Sequence, residues 1–116
     1  MSQDTVIYHN PRCSKSRQTL ALLEDRWLKP TIVEYLKGGL DTTTLNRIVD
    51  LLGADASVLL RTKEDAYAAS GLDDKSTREQ IIAAIVEAPI LLERPIVVRA
   101  QRAALGRPPE NVLSIL

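Results

Sequence analysis

The first apolar run along the chain is "TVIYH", Thr5 to His9, a β-branched and aromatic stretch that predicts a buried strand. Asn10-Pro11 breaks it. From about Ser14 to Trp27 the apolar positions Leu20, Leu23 and Trp27 recur at helical spacing, and Lys29-Pro30 closes that helix. "TIVEY", Thr31 to Tyr35, predicts a second strand. Two strands around one helix make a βαβ unit, with parallel strands and a right-handed crossover.

The pattern then turns helical. Gly38-Gly39 makes a loop, and Asp41 or Thr42 can cap a helix with the apolar face Leu45, Ile48, Val49 and Leu52, ended by Gly53. Ser57 to about Ser70 predicts short helical pieces ending at Gly71. "STRE", Ser76 to Glu79, has capping-box spacing, with Ile81, Ile82, Ile85 and Val86 after it and a stop at Pro89. "PIVVRA", Pro95 to Ala100, predicts a third strand. Ala103 to Gly106 predicts a fourth, antiparallel through a turn at Gln101-Arg102. "RPPENVLSIL" predicts a final helix with Pro108 in its first turn and Val112, Leu113 and Leu116 inward. The fold class is α/β, in the order β-α-β, helical insertion at about 42–89, then β-β-α.

Composition narrows this picture. The length of 116 residues suits one domain, 1–116, able to bury a core without metals or disulfides. That core must be aliphatic, because the chain holds one Trp, three Tyr and no Phe. Fifteen basic and fifteen acidic side chains cancel, which argues against a nucleic-acid partner. With one cysteine no internal disulfide can form. With no signal-peptide pattern and no long apolar run, no membrane association is expected, and the expected location is the reducing cytoplasm.

The only cysteine and the only histidine fall together in "IYHNPRCSKSRQTL", Ile7 to Leu20. Cys13 lies in the turn between the first strand and the first helix. Unpaired N–H groups and the partial positive charge at a helix start stabilise a thiolate, and Arg12, Lys15 and Arg17 push the same way. The same turn could hold an anion beside the sulfur. A small buried hydrophobe is the plainer role for a lone cysteine, and it fits poorly in "PRCSKSR". His9 could orient a water, tune the thiolate or serve only as a structural residue. No metal is expected, since one Cys and one His lack the partners zinc needs. A dithiol centre would need cysteine where Ser16 stands, and the phosphatase loop C-x5-R would need arginine where Thr19 stands. Redox work would therefore draw on an external thiol.

These residues resemble the active-site segment of the glutaredoxin-linked arsenate reductase family, ArsC. "LLRTKEDAY" (Leu59 to Tyr67), "ERPIVV" (Glu93 to Val98) and "GRPPENVLSIL" (Gly106 to Leu116) resemble further segments of that family in the same order. With Ser14-Lys15 after the cysteine, the chain is most similar to a shorter arsenate reductase-like subgroup. The resemblance implies a thioredoxin-like fold with a central mixed four-stranded sheet flanked by helices. It implies Cys13 as the catalytic residue and Arg61, Arg94 and Arg107 as the oxyanion pocket. His9, Asn10 and Ser16 would support or tune the thiol, and Pro95 would be the cis-proline facing the active-site loop.

It also implies the chemistry. The Cys13 thiolate attacks arsenate and forms a sulfur–arsenic adduct. Glutathione, a co-substrate rather than a bound cofactor, attacks next; As(V) becomes As(III), and glutaredoxin reduces the mixed disulfide on Cys13. The enzyme is expected to act as a monomer. Two other functions share these features: a monothiol, glutaredoxin-type thiol reductase without arsenate specificity, and an Spx-like redox regulator that binds RNA polymerase. The second uses C-x-x-C as its switch, and Ser16 removes that second thiol here.

Overall fold

The computed structural model describes residues 5–116. They cluster into two compact units, one made of the residues up to Gly39 together with Arg94–Leu116, the other of Leu40–Glu93. The first unit holds a four-stranded sheet in the order β2-β1-β3-β4. Its strands are β1 (Thr5–His9), β2 (Thr31–Glu34), β3 (Ile96–Arg99) and β4 (Arg102–Leu105). β2 runs parallel to β1, with Ile7 opposite Ile32. β3 runs antiparallel to β1, with Ile7 opposite Val97, and β4 antiparallel to β3, with Val97 opposite Ala104. Helix α1 (Ser14–Asp25) makes the crossover from β1 to β2. This mixed sheet with its βαβ and ββα halves is a thioredoxin-like fold.

The period of two along β1 explains how the sheet is held. Thr5, Ile7 and His9 are buried while Val6 and Tyr8 are only partly so. Ile7 meets Leu23 of α1, Val97 of β3 and Val112 of the last helical segment in a fully buried cluster, with Leu20, Leu28, Ala104, Ile115 and Leu116 around it. Each such aliphatic side chain contributes roughly 1.5–3 kcal/mol by leaving water. The ββ turn is tight. Ala100 and Gln101 form it, and Ala100 takes a left-handed φ of 55°.

In the second unit, α2 (Thr42–Leu52) begins on Asp41, whose carboxylate accepts the Thr44 N–H at 2.7 Å. It ends on Gly53 in the left-handed conformation that glycine adopts without steric cost. After α2 come α3 (Asp65–Ser70) and α4 (Arg78–Glu87), with 3₁₀ turns at Ala56–Leu59 and Pro89–Leu91. Leu45, Ile48 and Val49 of α2 and Ile81, Ile82 and Ile85 of α4 are buried. Among the described residues no helix is long and apolar enough to cross a membrane.

Several expectations shift. Helix α1 stops at Asp25, and Trp27 follows it at a left-handed φ of 65° with its ring 93% exposed, rather than on the helix's apolar face. Strand β2 stops at Glu34, and Tyr35 opens a 3₁₀ turn through Lys37. The capping box starts at Thr77 and not Ser76: Thr77 Oγ1 accepts the Gln80 N–H, and the Gln80 side chain accepts the Thr77 N–H. Val86 of α4 is 38% exposed. The last segment is a 3₁₀ helix, Pro109–Ile115, and Pro108 precedes it in extended conformation. Of its three inward positions, Val112 is buried while Leu113 and Leu116 are partly so.

Candidate active site

Cys13 is the N-cap of α1, extended at φ −92° and ψ 123°, and its carbonyl accepts the first helical bond from the Arg17 N–H at 3.0 Å. The loop before it is closed on itself. Cys13 N–H donates to the Asn10 carbonyl at 3.0 Å, and Arg12 N–H donates to Asn10 Oδ1 at 3.0 Å. Arg17 reaches back to the Pro11 carbonyl at 2.9 Å. Asn10 therefore shapes the turn through both its backbone and its side chain.

The sulfur is partly buried. Burial pushes its pKa up. The Ser16 N–H, the Arg94 guanidinium and the Lys15 N–H stabilise the anion more strongly, so the net shift is down from a free thiol.

Arg94 and Arg107 arrive from the far end of the chain. Arg94 directly precedes the β3 hairpin and is buried, at 7% exposure. Arg107 follows β4, and its Nη1 lies 3.8 Å from Cys13 Sγ and donates to the Arg94 carbonyl at 3.1 Å. The Arg94–Pro95 peptide bond is cis, and so is Arg107–Pro108. Gly106 holds the two segments together, since its N–H donates to the Pro95 carbonyl at 2.9 Å. A Cβ on Gly106 would lie 2.5 Å from Thr19 Oγ1 and 2.7 Å from Pro95 Cγ, so only glycine lets this segment approach α1.

His9 and Ser16 sit beneath the loop, 5% and 0% exposed. Ser16 Oγ accepts the Asn10 N–H at 3.1 Å and lies 2.6 Å from His9 Nδ1. Burial lowers the His9 pKa, Glu34 opposes this and Arg17 adds to it, so the ring is held neutral below its usual range. With a neutral ring, the Ser16 hydroxyl donates to Nδ1 while its oxygen accepts the Asn10 N–H.

Arg61 belongs to the second unit. Its Nε donates to Glu64 at 3.1 Å and its Nη1 to Glu93 at 3.2 Å. Thus Cys13, His9, Asn10, Ser16, Arg94, Pro95 and Arg107 share the first unit, while Arg61 stands on a carboxylate pair in the second. Among the described residues no group of His, Cys, Asp and Glu could hold a metal. Gly106 and the backbone N–H groups of Lys15 and Ser16 were not picked out by sequence reasoning. For Gly106 the signal available was a glycine directly before an Arg-Pro pair.

A model of the ArsC family matches residues 8–115. An uncharacterized Escherichia coli K12 protein, YfgD, is 48% identical over 118 residues, covering all of this chain and 99% of that one. The Haemophilus influenzae protein named arsenate reductase is 44% identical over 113 residues, covering 96% of this chain and 97% of its own. The solved structure of an arsenate reductase from Vibrio cholerae superposes with a TM-score of 0.94 at 43% identity, covering the whole of both chains.

Proposed function

The chain belongs to the ArsC family, and from that premise we propose that it is an arsenate reductase, an oxidoreductase taking As(V) in arsenate to As(III) in arsenite. One observation carries the reading: a cysteine with a lowered pKa has two arginines converging on it from the opposite end of the chain, one of them buried and the other 3.8 Å from the sulfur. Relatives named arsenate reductase, at 44% and 43% identity, support the substrate.

In this reading Arg94 and Arg107 hold the arsenate dianion and spread its charge. The Cys13 thiolate attacks arsenic, and one arsenic–oxygen bond breaks, its oxygen leaving as water after protonation. A glutathione thiolate then attacks Cys13 Sγ. The sulfur–arsenic bond breaks and its electron pair stays on arsenic, which leaves as arsenite. Glutaredoxin attacks the glutathione sulfur of the mixed disulfide, freeing the Cys13 thiolate. Overall, arsenate and two thiols become arsenite, a disulfide and water. A single cysteine fits this external-thiol route, which belongs to a reducing cytoplasm, and the protein works as a monomer without a bound cofactor.

The test is NADPH oxidation coupled through glutathione reductase, with arsenate and glutaredoxin each present or omitted. Turnover that needs both supports the reading, and Cys13→Ser abolishes it. Turnover of glutathione mixed disulfides without arsenate would replace it with a monothiol reductase. Capture of RNA polymerase by a chain without turnover would replace it with a regulator.

A further inference from the structure

A cavity of about 220 Å³ opens beside the Cys13 loop, lined by His9, residues 10–12, Glu34, Leu36 and Lys37. It lies at the carboxyl ends of the parallel pair β1 and β2, where α/β sheets commonly receive ligands. Arg94 and Arg107 come from the segments flanking β3 and β4, and those strands lie on the other side of β1 from β2. The cavity is therefore separate from the arginines assigned to the oxyanion, yet it borders Arg12, the residue before Cys13.

Its lining carries both signs of charge. Arg12 and Lys37 are cationic and Glu34 is anionic. The Glu34–Lys37 pair is 3.4 Å apart with the lysine side chain 80% exposed, so it is weak and easily exchanged for a ligand. His9 is 5% exposed, its Nδ1 shares a hydrogen bond with the Ser16 hydroxyl, and its Nε2 has no hydrogen-bond partner among the described residues. With the Ser16 hydroxyl donating to Nδ1, Nε2 carries the hydrogen and presents a donor to the cavity. Leu36, 45% exposed, supplies an apolar wall.

A second oxyanion would be repelled by Glu34. A group carrying both a carboxylate and an ammonium uses every side chain present, the carboxylate on His9 Nε2–H, Arg12 and Lys37, the ammonium on Glu34. The volume is below the roughly 300–1,000 Å³ of a pocket for a whole small ligand, so it suits one end of a longer molecule. Resting on the reading of this protein as a thiol-dependent reductase, we propose that this cavity seats the α-amino-acid end of a small thiol peptide such as glutathione, leaving its sulfur free to reach Cys13. The occupied cavity then lies one ring and one hydroxyl away from Ser16, whose N–H helps hold the Cys13 anion.

The experiment titrates S-methylglutathione, which has no thiol to react, into the wild type, Glu34→Gln and Lys37→Glu, by amide chemical shifts. The wild type shows shifts centred on residues 9–12 and 34–37. Each variant, altered at a partly or largely exposed side chain, weakens binding about tenfold, the scale of one charge-assisted hydrogen bond. In turnover, the ratio of kcat/KM for glutathione to that for dithiothreitol falls by the same factor. Shifts centred elsewhere, or wild-type affinity in both variants, overturn the proposal. Absence of arsenate turnover with either thiol, while S-methylglutathione still marks residues 9–12 and 34–37, overturns the arsenate reading and leaves the cavity's assignment standing.

Discussion

Cys13 and its two arginines divide the work of the site. Arg94 is buried and lowers the Cys13 pKa by hydrogen bonding and by charge, where water screens it little. Arg107 reaches the sulfur only at 3.8 Å. The rate of Cys13 alkylation by a neutral reagent should therefore titrate with an inflection below that of a free thiol, about 8.5. Arg94→Ala should move that inflection upward, and Arg107→Ala should move it less. Arg107→Ala should instead lower kcat/KM for arsenate by about 10²-fold, the usual loss for one oxyanion donor. Equal shifts of the inflection in both variants would contradict the division. At this scale the sequence was informative where the chemistry is local. Cys13, His9 and Ser16 lie within eight positions, and the cysteine's polar neighbours and helix start are visible in the string. Arg107 meets Cys13 across 94 positions, and no periodicity reports such a contact, so only resemblance pointed to it.

Among the elements, the ββ hairpin and its flanks position both arginines, and Gly106 fixes how close they come to α1. Gly106→Ala drives a methyl onto Thr19 and Pro95, an overpacking that costs about 1–3 kcal/mol. Chemical denaturation should show that loss, and the displaced Arg107 should lower arsenate turnover beyond it. Thr77→Ala removes the α4 cap and should cost about 1 kcal/mol, whereas Ser76→Ala leaves that cap in place. The sequence could not choose between these two, because each has Glu or Gln three residues on. Ser76 is spent otherwise, its Oγ accepting the Asp73 N–H at 2.9 Å. Two other boundaries shift for one reason. Tyr35 and the last segment satisfy an apolar pattern equally well as 3₁₀ turns, which share the burial but not the period assumed for strand and α-helix.

For the whole molecule, the order of strands and helices along the chain was legible because each strand is bounded by Pro, Gly or a polar turn and each long helix keeps its aliphatic stripe. The compact unit Leu40–Glu93 includes the 3₁₀ turn from Pro89 and a bridge between Leu60 and Leu92. Global stability should also carry the mark of His9. The folded ring titrates below 6.5, the value it regains on unfolding. Between those two values the unfolded chain binds more protons, so stability rises with pH through the window and is complete above 6.5. Denaturation midpoints should fall as pH drops through that range, and His9→Asn should flatten the fall. A wild-type midpoint constant down to about pH 5 would contradict the assignment.

The lone indole stands almost wholly in solvent, at 93% exposure on a left-handed residue behind α1. Denaturation gives it little further water to meet, so tryptophan emission and its quenching by iodide should hardly differ between native and denatured chains. Fluorescence, the customary optical reporter, would then register no transition while far-ultraviolet circular dichroism recorded a full one.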